Sequence, residues 1–176
     1  MKSIASLTTL LASLSLCACA GRPPLATVPS VDLHRYSGKW HEIARYPNWF
    51  QRACAGSATA VYTPQSDGSI KVVNSCPRKD GSVKTITGRA TVVPGSGNAR
   101  LKVSFFGPFA GDYWIIGLDE RNYWWALVGH PSRRFLWILS RHPTMPESLY
   151  RQIVSIAVGK GYAAERIMHP SPSISP

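Results

Sequence analysis

Acidic side chains are scarce in this sequence. Nine Asp and Glu stand against 20 Lys and Arg, a net charge of +11 at neutral pH. Such an excess raises nucleic acid as a partner, but the cations are scattered singly and the chain opens with an export signal. Attraction to anionic lipid head groups fits both facts better. Histidine is equally sparse in pattern: His34, His41, His130, His142 and His169 show no clustering of the kind a catalytic triad or a zinc site needs. Cysteine is limited to four residues, none at metal-ligand spacing, and no internal repeat is present. No cofactor and no metal are implied. The longest uncharged stretch, Ser3 to Gly21, follows the single cation Lys2 and is short for a spanning helix. Its Leu, Ala and Ser content has the layout of a secretory signal peptide.

That stretch ends Leu16-Cys17-Ala18-Cys19-Ala20-Gly21. A small residue before a closing cysteine resembles the lipobox of bacterial lipoproteins, in which the cysteine becomes the acylated N-terminus. Cys19, preceded by Ala18, fits better than Cys17, preceded by Leu16; ordinary cleavage that discards both thiols is the alternative. The resemblance implies residues 1–18 as leader and Cys19 as the lipid anchor, which needs no spanning helix. Ala20 stands where inner-membrane lipoproteins typically carry Asp, which implies the outer membrane. Cys54 and Cys76 are left as an isolated pair, and in an oxidising compartment such a pair reads as a disulfide. Residues 19–30, with Pro23, Pro24 and Pro29 and no apolar period, read as a flexible linker that does not pack. Residues 169–176 alternate Pro and Ser and read as a disordered tail.

Between them, residues 31–168 hold short alternating or aromatic runs broken by Gly, Pro, Asn and Asp. Eight strands are expected: Gly38 to Tyr46, Ala55 to Thr63, Ser69 to Cys76, Val83 to Val93, Arg100 to Phe105, Asp112 to Leu118, Tyr123 to Gly129 and Arg134 to Ser140. Short turns between them predict antiparallel neighbours, and eight strands so joined close most simply into an up-and-down barrel with room for one small ligand. Thr144 and Glu147 have the spacing of a capping box, and Leu149, Ile153, Ile156 and Ala157 recur at helical spacing before Gly159 and Gly161. One helix packed outside the barrel is predicted.

On these residues the chain resembles the lipocalin family, and within it the bacterial outer-membrane lipocalins related to apolipoprotein D. The first family motif stands as Gly38-Lys39-Trp40, the second as Asp119 with Tyr123, the third as Arg141 after Leu136-Trp137-Ile138-Leu139-Ser140. Leu118 and Glu120 depart from the usual residues of the second motif. In a meander the turn after the sixth strand and the end of the eighth return beside the start of the first, so all three motifs meet at the closed end. There Arg141 is expected to stack on Trp40 and plug the base.

The opposite, open end gathers Trp49, Phe50, Phe106 and Phe109 with the cations Arg52, Arg78, Lys79, Arg133 and Arg134. Aromatics there suit a ligand gate or a surface that dips into a bilayer, and Arg52 and Arg133 suit the anionic head of a fatty acid or lysophospholipid. Alternation from Trp40 sends Glu42, Ala44 and Tyr46 inward, which makes Glu42 and Tyr46 candidate ligand contacts; a buried carboxylate satisfied by Arg or Tyr neighbours is the favoured alternative for Glu42. Tyr113, Trp114, Trp125 and Trp137 lie on cavity strands with their facing undecided, and Tyr113, Trp125 and Trp137 join the candidate ligand contacts. A non-enzymatic lipid carrier is the leading reading, with a homodimer left open. The competing classes are a thiol enzyme built on Cys54 and a structural protein with a filled barrel.

Overall fold

The alternation is plainest in the stretch Val83–Val92, where exposed and sheltered residues take turns without a break until Ala90 is fully buried. In a computed structural model of the protein, which describes residues 22–170 and 174–175, this stretch is the fourth of eight antiparallel strands closed into one barrel. They are β1 (Gly38–Arg45), β2 (Thr59–Pro64), β3 (Ile70–Pro77), β4 (Val83–Val92), β5 (Arg100–Phe106), β6 (Phe109–Leu118), β7 (Trp125–Gly129) and β8 (Leu136–Ser140), each paired with its sequence neighbours and β1 with β8. The leader and Cys19 lie outside the described residues. No helix among the described residues is long and apolar enough to cross a membrane.

Several boundaries differ from expectation. Residues 106–111 are no loop: Phe106 pairs with Phe109, and the strands extend to a tight turn at Gly107 and Pro108. Strand β7 starts at Trp125 because Tyr123 takes a left-handed φ of 58° inside the preceding turn. Strand β2 starts at Thr59, since Trp49–Gln51 form a 3₁₀ turn and the backbone to Ala58 stays irregular. A short helix α1 (Leu33–Tyr36), capped by the Asp32 carboxylate, crosses the end of the barrel before β1. The outer helix is α2 (Glu147–Gly159). Its capping box does not form: Pro146 is the N-cap, no side chain caps it, and Met145–Pro146 (β9) instead pairs in parallel with Ile174–Ser175 (β10). Residues 174–175 of the segment expected to be a disordered tail are thus paired with β9.

The linker reading of residues 22–30 is overturned as well. Leu25 is buried beneath α2, Val28 N–H donates to Ile115 C=O at 3.0 Å, and Val31 N–H donates to Gly97 C=O at 2.8 Å. Proline gave the segment an extended shape, and two apolar side chains with free main-chain groups were enough to seat it along the wall.

Two apolar clusters divide the strands by face. Trp40, Tyr62, Val72, Ala90, Leu101, Ile115, Ala126, Val128 and Leu139 fill the interior. Ile43, Ile116, Leu127, Leu136 and Ile138 face outward and are covered by Ile153 and Ala157 of α2. Covering both faces explains why β6 to β8 read as apolar throughout.

Candidate functional site

At the closed end the three motifs meet as expected. Gly38 holds a φ of 91°, which only glycine takes readily, and turns the chain from α1 into β1. Trp40 is fully buried, with the Arg141 guanidinium 3.8 Å above its ring. Arg141 also donates to the carbonyls of Lys39 (2.9 Å), Arg35 (2.6 Å) and Tyr123 (3.3 Å). Asp119 shapes the turn by accepting from Asn122 and Trp124 N–H, and Tyr123 Oη accepts from Asp32 N–H at 2.9 Å. These groups join main chain to main chain across the base, and together they close it.

Above Trp40 lies a floor of tyrosines. The Tyr113 hydroxyl is 2.8 Å from that of Tyr36 and 2.9 Å from that of Tyr62. Burial pushes Tyr62 up to about 12. Burial first, and the neighbouring phenols second, hold Tyr36 and Tyr113 well above their ordinary value. The floor is thus uncharged under all ordinary conditions. Two contacts use two of the three hydroxyl protons, so one remains to be donated, and Tyr113 is the least buried of the three.

Higher up, the inward-facing residues are no longer sealed. Ala60, Asn74, Ile86, Val103, Phe105, Tyr113 and Trp137 follow the interior parity yet are only half-buried, whereas their counterparts at the base are fully buried. The interior side chains are thus sealed at the base and more accessible toward the far end. Gly88 makes room for Phe105, whose ring lies across the bare backbone: a side chain at 88 would stand 2.6 Å from it.

The wall near the mouth is not where alternation from Trp40 put it. A β-bulge between Glu42 and Ala44 reverses the parity of β1. Glu42 does point inward, and buried Arg45 pairs with it. Ala44 and Tyr46, expected inside, turn out beneath α2, where Tyr46 donates to Ala163 C=O at 2.8 Å. Trp125 likewise packs against the outer cluster and so is no ligand contact, and Trp114 faces outward under Arg100. Gln51 ties the entrance together: it donates to Glu42 at 2.6 Å and accepts from Trp137 Nε1 at 3.1 Å and Asn48 at 2.6 Å. Phe50, Phe135 and Trp137 form an aromatic rim, the last two stacked with centroids 6.0 Å apart.

Of the rim cations, Arg133 is otherwise engaged, donating to Lys160 C=O (2.6 Å) and Pro23 C=O (2.7 Å) on the outside. It clamps the N-terminal segment to α2 and is not a head-group ligand. Arg52 stands exposed beside Cys54. The inward cation is Lys84 of β4, whose Nζ is 3.4 Å from the Phe50 carbonyl. Lys84 and Phe135 were both missed, although counting by twos from Ala90 and from Trp137 would have found them. Arg45, Tyr36 and Tyr62 were also missed, the first because of the bulge.

Cys54 and Cys76 are joined as a disulfide at the mouth. Neither sulfur is then free to act as a nucleophile, which removes the basis of the thiol-enzyme reading. No group of His, Cys, Asp and Glu among the described residues could hold a metal ion.

Comparison with known proteins agrees with this geometry. The lipocalin-like domain family matches residues 31–172. The outer membrane lipoprotein Blc of Vibrio cholerae is 36% identical over 162 residues, spanning 91% of this chain and 94% of its own. Temperature-induced lipocalin-1 of Arabidopsis thaliana is 38% identical over 156 residues, 84% of this chain and 82% of its own. Among solved structures, insecticyanin of the tobacco hornworm Manduca sexta superimposes with a TM-score of 0.68 at 20% identity, over 84% of each chain, a likeness of fold alone. With the three motifs assembled at the closed end, aromatic side chains facing the interior above them and a family match over most of its length, the chain belongs to the lipocalin family.

Proposed function

We propose that the protein is a carrier of single-chain amphiphiles, fatty acids or lysophospholipids, anchored by acylated Cys19 at the outer membrane and serving lipid storage or transport in the cell envelope. One observation carries the binding half: interior residues that are sealed at the base become accessible above the tyrosine floor, many of them apolar or aromatic. An eight-stranded barrel holds one small ligand, so one acyl chain fits where two would crowd. Burying it gains roughly 25 cal/mol per Å² of apolar area, less the cost of ordering the chain. Its polar end would remain near Lys84 and Arg52 at the rim. The anchoring half is supported by the cysteine-bearing leader and by the relative from Vibrio cholerae, itself an outer membrane lipoprotein.

Solvent extraction of the purified protein followed by mass spectrometry tests the carrier: a copurified fatty acid or lysophospholipid is expected. Failure of every single-chain amphiphile to quench or shift the tryptophan fluorescence overturns it. Labelling cells with a fatty-acid analogue tests the anchor separately, and equal labelling of Cys19→Ala would refute it.

A further inference from the structure

The N-terminal segment does more than fill a groove; it fixes which end of the barrel faces the anchor. Val31 is bonded to Gly97 at the closed end, Val28 to Ile115 halfway up β6, Ala26 C=O accepts from Lys160 Nζ, and Pro23 C=O accepts from Arg133 at the open end. Arg22 therefore leaves the barrel beside Arg133 and Gly161, at the level of the mouth. It stands three positions after Cys19, with only Ala20 and Gly21 between them, a reach of roughly 10 Å even when fully extended.

The mouth has the surface such a position calls for. Phe106 and Phe109, at the tip of the β5–β6 hairpin, are 68% and 81% exposed, and Trp49 is 68% exposed. Val83 and Val158 are exposed at the same end. At the closed end Trp124 is the one large apolar side chain so exposed among the described residues. Exposed cations surround the mouth: Arg22, Arg52, Arg78, Lys79 and Arg134. Nearby Asp80 is occupied in its own turn by Ser82, and Asp112 by Lys102. Aromatic side chains ringed by cations match the interface of an anionic bilayer, where rings settle at head-group depth and cations are drawn to the negative surface.

We infer that the barrel stands mouth-down on an anionic phospholipid surface, with Phe106, Phe109 and Trp49 set among the lipid head groups, so that its interior opens directly onto the bilayer. This rests on the anchor at Cys19 for its permanence, while the surface itself supplies the orientation. A ligand then passes between bilayer and barrel without crossing water, the passage that costs an acyl chain most.

The test uses the full-length processed protein on vesicles of phosphatidylglycerol and phosphatidylcholine whose acyl chains carry bromine, a contact quencher of tryptophan. Quenching is expected in the wild type, most of it lost in Trp49→Phe and in Phe106→Ser/Phe109→Ser, with Trp124→Phe unchanged. Quenching that follows Trp124, or that persists in full in Trp49→Phe, overturns the orientation. Intact mass measured on the same sample reads the anchor independently. An unacylated protein that is still quenched through Trp49 refutes the anchor and upholds the surface; an acylated one quenched through neither tryptophan does the reverse.

Discussion

Both ends of this barrel are built from aromatic and cationic side chains, and they use them in opposite ways. At the closed end Trp40, Tyr36 and Tyr123 are buried, and Arg141 and Arg35 spend their donors on main-chain carbonyls. At the open end Trp49, Phe106 and Phe109 stand in solvent, and Arg52, Arg78 and Lys79 are exposed. The same residue types stabilise the fold where backbone acceptors surround them and are left free for recognition where none do. The sharpest way to break this contrast is by truncation. Trp40→Ala is expected to cost about 3–5 kcal/mol in urea unfolding, against about 0.5 kcal/mol or less for Phe109→Ala. Equal losses would mean that the mouth is part of the core.

The mouth has one structural tie of comparable strength. The disulfide joins residues 22 apart, and closing a loop of that length in the unfolded chain stabilises the fold by about 3 kcal/mol in the chain-entropy account. Cys54→Ala/Cys76→Ala should lower the unfolding free energy by that order while leaving the near-ultraviolet signature of the buried base intact. A base that loosens with the mouth would show the two ends to be one cooperative unit.

A smaller effect separates the ends by pH. Tyr36, Tyr62 and Tyr113 keep their protons in the folded barrel above the ordinary tyrosine value of 10.0, Tyr62 up to about 12. Unfolded tyrosines release theirs from pH 10 upward. The unfolded state then binds fewer protons than the native one, so stability is unaffected below pH 10 and falls as pH rises toward 12. Each tyrosine contributes about 1.4 kcal/mol per pH unit. Urea midpoints taken from pH 9 to 11.5 should show this decline, shallower in Tyr62→Phe. A flat profile would mean that the floor is wet.

The closed end was legible in the sequence because its residues obey the two regularities that a sequence displays, strand alternation and short antiparallel turns. Gly38, Trp40, Asp119, Tyr123 and Arg141 converge once eight strands are counted. The mouth was legible only in part. A single bulge at Glu42 to Ala44 reversed every side-chain direction beyond it, which misplaced Tyr46 and hid Arg45. Burial on both faces of β7 concealed that Trp125 looks outward. Arg133 carries no mark in the sequence of the two carbonyls that claim it, since those belong to residues 27 and 110 positions away. The N-terminal segment was misjudged for the same reason: its proline content describes local stiffness, and its docking depends on distant partners.

The smallest effect tests that misplacement directly. Lys84 faces inward at the upper wall with no carboxylate bonded to it, only the Phe50 carbonyl at 3.4 Å, whereas Arg133 is bonded on the outside to two carbonyls. An anionic ligand whose chain lies in the barrel brings its head within reach of the first and not of the second. Lys84→Met keeps the apolar stem and removes the charge. In a half-buried, partly hydrated position it should weaken a long-chain acid by about 1 kcal/mol or less, about fivefold in Kd. The matched neutral alcohol should bind as before. Arg133→Met should leave both affinities unchanged and instead speed proteolysis after Arg22, because the N-terminal segment loses its clamp. The measurement is a tryptophan fluorescence titration of the three proteins with acid and alcohol side by side. If Arg133→Met weakens the acid and Lys84→Met does not, the head group lies on the outer rim and the interior cation has no part in recognition.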